Sequence, residues 1–219
     1  MFTATADRLL PTTVTGSWPR PTWFDAGLWG RSLSDAMLDI SYREQLLDAV
    51  SVVVGEQERA GFDIVTNGDY HLDPDLAGLS WMRYPLERID GLDVRQTAPV
   101  VEGHEQSGTL LGEVSSAWRI PTVAGRVGSG ARMELDKLWR VAQSRATRPV
   151  RIGTVSTQLV ASMLDLRTDV YGPDKRDLMW DLATTMNAEL RKLVAAGCKV
   201  IQIEEPLLHF VATSSRDRQ

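Results

Sequence analysis

Cysteine, long apolar runs and an excess of basic residues are all missing from this sequence, and each absence excludes a class of protein. Cys198 is the single cysteine among 219 residues, so an intrachain disulfide and a zinc cluster built from paired CxxC motifs are excluded. No segment approaches the roughly 18 apolar residues of a membrane-spanning helix, and the opening MFTATADRLLPTT lacks the apolar stretch of a secretion signal. We therefore predict a cytoplasmic protein with no membrane partner.

The charge balance is acidic rather than basic. A net charge of -5 and a pI near 5.3 do not fit the basic surface of a nucleic-acid-binding protein, so we predict no nucleic-acid partner. Hydrophobic residues make up 43% of the chain and charged residues 24%, which is typical of a globular chain with one sizeable core.

Three segments have the apolar period of amphipathic helices. Residues 41–61 begin with Ser41 and Glu44 in the spacing of a capping box and end at a glycine. Residues 178–197 carry one apolar stripe and also end at a glycine, and residues 131–146 have a less regular stripe. The sequence therefore predicts three helices, each packed on another layer.

Short apolar runs follow two of these helices in the same way. AGFDIVTNGD and AGCKVIQIEE each begin with Ala-Gly, continue as an apolar run and reach a carboxylate at the same distance from the glycine. Apolar runs that alternate with amphipathic helices indicate parallel strands with helical crossovers, so the predicted fold class is α/β. Three more strands are predicted in LPTTVTGS, PVRIGTVS and RIPTVAG.

Residues 92–119 interrupt this alternation. They are polar, punctuated by glycine and alternating in places, which favours a hairpin-like excursion over another strand–helix unit. No linker or low-complexity tract divides the chain, so we predict a single domain over residues 1–219.

Two acids stand at equivalent strand ends, Asp69 and Glu204. Residues at the carboxyl ends of parallel strands face the ligand crevice of such folds, so both side chains are expected in one cavity. Buried carboxylates need compensation, which suggests a cationic or donor-rich ligand, or a metal. Each acid alone could equally cap a helix or pair with a structural arginine.

The three histidines do not form a recognisable metal motif. His71 lies just beyond a strand end and is either a ligand or a solvated loop residue. His104 and His209 have no second histidine or cysteine at metal-ligand spacing.

Three motifs together carry a family resemblance. LPTTVTGSWPRP, ERAGFDIVTNGDY and AAGCKVIQIEEP, in this order, resemble the catalytic barrel of cobalamin-independent methionine synthase and related zinc-dependent thiol alkyl transferases, from about residue 10 to about residue 208. The resemblance implies a parallel (β/α) barrel of the TIM type. It also implies a methyltransferase in which zinc activates a thiol such as that of homocysteine, in methionine biosynthesis.

The resemblance also assigns roles to individual residues. Thr15, Gly16 and Ser17 match the turn that holds the carboxylate of the amino-acid substrate. Asp69, in place of the usual glutamate, and Glu204 match the two acids that contact the substrate ammonium. Glu205 is the second acid of the strand-end motif, and His71 is a further candidate.

Some family features have no match here. The family's zinc ligands lie in strands that follow the Glu-Glu-Pro motif, and no candidate set in this chain replaces them, so no metal ligand is assigned. The segment GTVSTQLVASM lacks the tryptophan that stacks on folate in methionine synthases, which counts against a folate methyl donor.

The predicted strands number about five, whereas a complete barrel of this type has eight. An open parallel sheet would expose an apolar edge, so three explanations are open: a truncated or frameshifted product, a half completed by a complementing chain, or a homo-oligomer that completes itself. A catalytically silent half-barrel that serves as a partner or scaffold subunit, and a coenzyme M type alkyl transferase, are the alternatives to a methionine-forming enzyme.

Overall fold

The computed structural model describes residues 4–5, 7–74, 80–99, 119–128, 130, 132–166, 169–206 and 208, and the side chains of residues 94–99 and 119–120 are outside this description. His104, His209 and most of the predicted excursion lie outside the described residues. The hairpin prediction for residues 92–119 and the single-domain prediction therefore stay predictions.

Six helices lie in the described residues. They are α1 (Leu33–Ala36), α2 (Ile40–Arg59), α3 (Ser80–Leu86), α4 (Leu135–Gln143), α5 (Thr157–Met163) and α6 (Arg176–Ala196). Helices α2, α4 and α6 correspond to the three predicted helices. None of the helices in these residues is long and apolar enough to cross a membrane.

The start of α2 corrects the predicted capping box. Asp39, not Ser41, is the N-cap, because its carboxylate accepts hydrogen bonds from the backbone N–H groups of Ser41 and Tyr42. A carboxylate at this position accepts hydrogen bonds from two of the free N–H groups of the first turn, and its negative charge interacts favourably with the positive end of the helix dipole. The helix thus begins earlier than the sequence pattern indicated.

The strands of the described residues form two three-stranded sheets. They are β1 (Val65–Thr66), β2 (Leu92–Pro99), β3 (Arg119–Val123), β4 (Val150–Val155), β5 (Asp165–Leu166) and β6 (Val200–Glu204). The first sheet has the order β1-β4-β6, and both of its pairings are parallel. The second has the order β2-β3-β5, in which β2 and β3 are antiparallel and β3 and β5 are parallel.

The parallel pairs confirm the prediction of strands joined by helical crossovers. The strands do not form one sheet in chain order. Strand β3 pairs with β2 and β5, so both of its edges are occupied, and β4 pairs with β1 rather than with β3. The fold seen in the described residues is therefore mixed α/β with small sheets.

The predicted strand over residues 10–17 is wrong. This segment runs beside β1 and is attached at separate points rather than along a ladder. The Thr12 carbonyl accepts hydrogen bonds from the N–H groups of Asp63 and Ile64, both at 3.1 Å, and the N–H of Trp18 donates to the Gly68 carbonyl at 3.1 Å. These bonds hold the segment beside β1 from its amino end, at Thr12, to the turn at its carboxyl end, at Trp18.

The core lies between the first sheet and the long helices. Helices α2 and α6 both contact α4, and the buried faces of α2 and α6 contain most of the predicted apolar stripes. The buried members of those stripes are Tyr42, Leu46, Val50, Val53, Val54, Leu178, Leu182, Met186 and Leu193. Cys198 is buried as well, as a small core residue.

Candidate functional site

A cleft opens at the carboxyl ends of the first sheet. It encloses about 500 Å³ of empty space, part of it open to solvent. Its polar lining comes from all three strands or the turns that follow them, and an apolar wall completes it. The lining residues are Asp69, His71, Leu72, Trp81, Tyr84, Pro85, Met133, Leu135, Arg151, Gly153, Thr154, Val155 and Glu204.

Asp69 reaches the cleft from the turn after β1. Its backbone φ of 59° is in the left-handed region, which non-glycine residues seldom adopt, and its N–H donates to the Asn67 side-chain carbonyl at 3.0 Å. The Ser17 hydroxyl donates to the Asp69 carboxylate at 3.4 Å. The turn therefore holds the carboxyl group in place before any ligand arrives.

Burial raises the pKa of the Asp69 carboxyl above its ordinary value. The positive charge of Arg151 opposes this rise, the negative charge of Glu204 adds to it, and the Ser17 hydrogen bond opposes it. The carboxylate is therefore costly to keep ionised in the empty cleft, and a cation bound beside it would relieve that cost.

Glu204 is the last residue of β6 and enters the same cleft. Its carboxylate accepts a hydrogen bond from the Gln202 side-chain amide at 2.9 Å, and the same amide nitrogen donates to the Thr15 hydroxyl at 2.8 Å. Gln202 thus connects β6 with residues 15–17. The structure brings Asp69 and Glu204 together as the sequence predicted, since both line one cleft.

Arg151, on the middle strand β4, is the charged residue that the sequence reasoning missed. Only 4% of its surface is exposed, and its guanidinium donates to the Val14 carbonyl. Burial lowers the pKa of Arg151, while the charges of Asp69 and Glu204 oppose that change. A basic residue inside the apolar run of PVRIGTVS was the signal that could have identified it.

Residues 15–17 lie at the rim rather than in the lining. All three are exposed, and Gly16 has a φ of 76°. Thr15 and Ser17 are nevertheless tied to the two acids, Thr15 through Gln202 and Ser17 directly. Their predicted role toward a substrate carboxylate stays a prediction.

His71 and Glu205 have different surroundings. His71 lines the cleft and is buried against Tyr84, with ring centroids 4.6 Å apart, and its Nδ1 is 3.1 Å from the Asn67 side-chain amide. Burial, and next the positive charges of Arg88 and Arg20, lower the pKa of His71 to about 3, so the ring is neutral near pH 7.

Glu205 accepts a hydrogen bond from the hydroxyl of Ser156, the N-cap of α5. Its carboxylate therefore lies at the start of a helix, and the cleft lining does not include it.

The described residues do not fit a zinc site. Within the ranges given above, no group of three or more histidine, cysteine, aspartate or glutamate residues is placed to hold a metal ion. Asp69 and Glu204 share the cleft with the Arg151 guanidinium, whose positive charge disfavours a metal ion beside them.

Comparison with known proteins identifies relatives over nearly the whole chain. The family model described as "Cobalamin-independent synthase, Catalytic domain" matches residues 85–219. Methionine synthases from Sulfurisphaera tokodaii and Saccharolobus solfataricus are each 29% identical over 201 residues. That alignment covers 92% of this chain and 53% and 54%, respectively, of the two relatives. The chain thus spans about half the length of the curated relatives it matches.

Two solved structures show a similar fold. A B12-independent methionine synthase from Shewanella sp. W3-18-1, solved in complex with selenomethionine, has a TM-score of 0.68 at 21% identity, covering 96% of this chain and 55% of that one. A Listeria monocytogenes protein described as a B12-independent methionine synthase has a TM-score of 0.52 at 14% identity, with 86% and 49% covered. The mixed α/β arrangement of the described residues is therefore similar to the barrel of these proteins.

Proposed function

Because this chain belongs to the cobalamin-independent methionine synthase family, whose catalytic-domain model matches more than half of it, we propose that its cleft binds the amino-acid acceptor of a methyl transfer to a thiol. Homocysteine is the proposed acceptor and methionine the product. The complete reaction is part of the proposal, since the chain corresponds to about half of its relatives.

One observation carries the proposal: two carboxylates from different strands share one cleft. Asp69 follows β1 and Glu204 ends β6, and β4 lies between those strands. An α-ammonium group has three N–H donors, so it can donate to both acids at once and balance their repulsion. The raised pKa of Asp69 fits this role, because an acid destabilised in the empty site gains most from a bound cation.

The other end of the amino acid has a partner at the rim. Residues 15–17 combine an exposed serine hydroxyl with a glycine of positive φ, a combination that exposes backbone N–H groups to an anion. The α-carboxylate is proposed to lie there, held close to the acids by the Ser17–Asp69 and Thr15–Gln202 bonds. The apolar wall formed by Leu72, Trp81 and Met133 would then contact the side chain.

Zinc activation of the thiol belongs to the family's chemistry, but no step through zinc is assigned to the described residues, because they contain no matching set of donors. Their proposed part is to bind and orient the amino acid. We also propose that β1, β4 and β6 belong to a (β/α) barrel of the TIM type and that a second polypeptide or a second copy supports activity.

Calorimetric binding of methionine and homocysteine tests the proposal. Asp69→Asn and Glu204→Gln keep the shape of each side chain and remove its charge. Each is expected to weaken binding about 10- to 150-fold, because a charge-assisted hydrogen bond contributes about 1.5–3 kcal/mol. Asp90→Asn is the matched control, since Asp90 is exposed and paired with Arg132 away from the cleft.

The control should bind as the native chain does, and circular dichroism should show the same helical content for all variants. A native chain that binds neither amino acid, or a double variant at Asp69 and Glu204 with native affinity, would contradict the proposed function.

A further inference from the structure

Arg151 is placed where an ordinary core residue would be apolar. It lies on β4 between the two strands that carry the acids, and its neighbours Val150 and Ile152 are fully buried. Its Nε is buried and has no hydrogen-bond partner in the described part of the chain. An unpaired buried donor costs about 1–3 kcal/mol, so stability alone does not explain an arginine at this position.

Gly153, two residues further along β4, leaves room for the guanidinium. A Cβ atom added at Gly153 would lie 3.0 Å from Nη1 of Arg151 and 3.8 Å from Oε1 of Glu204. The other terminal nitrogen, Nη2, donates to the Val14 carbonyl directly before residues 15–17. Arg151 is therefore bonded to the rim of the cleft and lies close enough to Glu204 for their charges to interact.

The charge count of the cleft depends on this residue. The titratable side chains in the lining are Asp69, His71, Tyr84, Arg151 and Glu204. Burial lowers the pKa of His71 to about 3 and raises the pKa of Tyr84, so both are neutral near pH 7. Two carboxylates and one guanidinium remain, which gives the ionised cleft a net charge of minus one.

We propose that Arg151 is a positioning residue that neutralises one of the two carboxylate charges, so that the cleft is matched to a ligand with a single ammonium group. Its guanidinium is fixed to the Val14 carbonyl, and its positive charge opposes the effect of burial on Asp69 while the cleft is empty. One bound ammonium then completes the neutralisation without a proton having to leave the site. This inference rests on the proposed function for the identity of the ligand but not for the charge interaction itself.

Proton release on binding is the decisive measurement. Methionine is titrated into the native chain and into Arg151→Met at pH 7.5 in buffers with different heats of ionisation, and the slope gives the number of protons released. The native chain should release almost none. Without the guanidinium, repulsion between the two acids retains a proton on one of them, so Arg151→Met should release up to one proton per methionine bound.

Two variants separate charge from structure. Arg151→Lys keeps a cation and should restore most of the native proton balance. Arg148→Met removes an arginine just before β4 that donates to the Phe62 carbonyl at 2.8 Å, outside the cleft, and should leave the balance unchanged. A purely structural role for Arg151 would lower affinity in Arg151→Met without changing the number of protons released.

A titration of the ligand-free chain keeps this inference separate from the proposed function. With carbon-13 labelled aspartate, the Asp69 carboxyl resonance should titrate at a higher pH in Arg151→Met than in the native chain, whether or not methionine binds. An unchanged Asp69 titration in a folded Arg151→Met chain would overturn the inference. A native chain that fails to bind methionine but shows the upward shift would overturn the proposed function alone.

Discussion

Gln202 offers a sharp test of how the cleft is assembled, because one side-chain amide joins its two sides. Its nitrogen donates to Thr15 at 2.8 Å and to Glu204 at 2.9 Å, and these partners are 187 and 2 residues away in the sequence. Gln202→Leu keeps the volume of the side chain and removes both bonds. We expect the fold to survive, since Gln202 is only half-buried.

The expected loss of binding free energy in Gln202→Leu depends on how exposed the two hydrogen-bond partners are. A hydrogen bond to a charged group contributes about 1.5–3 kcal/mol and a neutral one about 0.5–1.5 kcal/mol. Thr15 is exposed and Glu204 is half-buried, so water replaces part of each lost bond. A loss of about 1 kcal/mol in methionine binding is therefore expected, which is about fivefold in Kd.

The assay is calorimetric titration of methionine into the native chain and three variants. Thr15→Val removes only the weaker bond and should change Kd by less than about twofold. Gln143→Leu is the matched control, because the Gln143 side chain also makes hydrogen bonds, three of them to the backbone of Ala146, Arg148 and Val150, but at the opposite end of β4. It should lower the melting temperature and leave Kd unchanged.

The reasoning fails if Gln202→Leu binds methionine as tightly as the native chain while Glu204→Gln binds it weakly. That result would show that Glu204 contacts the ligand without needing its neighbour for orientation.

Two further predictions concern stability. Because the pKa of His71 is depressed, the folded chain keeps this ring neutral, whereas the unfolded chain protonates it below about pH 6.5. The free energy of unfolding should therefore fall by about 1.4 kcal/mol per pH unit as the pH is lowered from about 6 to about 5. Denaturant titrations should show a flatter dependence of stability on pH for His71→Gln, and parallel pH profiles for the variant and the native chain would contradict the buried neutral state. Leu193→Ala should lower the free energy of unfolding by denaturant by about 2–5 kcal/mol, because Leu193 is fully buried in α6. Val194→Ala is the control, and it should lower that free energy by less than about 1 kcal/mol, because Val194 is 58% exposed. Equal losses in the two variants would show that α6 does not pack as described.

Local sequence patterns identified which helices and strands carry the cleft, but they were less accurate about where those elements begin and end. The apolar stripes of α2 and α6 and the runs of β4 and β6 were predicted because helices and buried strands impose regular spacings on apolar residues. The N-cap of α2 was misplaced, because Asp39 and Ser41 both have cap-forming side chains and only the backbone path selects between them.

The neighbours of a strand could not be predicted in the same way. The sequence places β3 among the parallel strands, and it is parallel to β5, but its other edge pairs with β2 in the antiparallel sense, and β1 pairs with β4. Residues 10–17 have the composition of a strand but only isolated hydrogen bonds to the chain beside them. Pairing depends on which edges are already occupied, and this is a property of the whole fold.

By itself, the sequence determined that this is an α/β chain with an acid at the end of each of two similar units, because helix period, strand run and strand end are all encoded within a few residues. The tertiary structure decided which groups surround those acids. Arg151 reaches the Val14 carbonyl across 137 residues and Gln202 reaches Thr15 across 187. Charges and hydrogen bonds act over a few ångströms in space, so the electrostatic character of the cleft exists only once distant segments have been brought together.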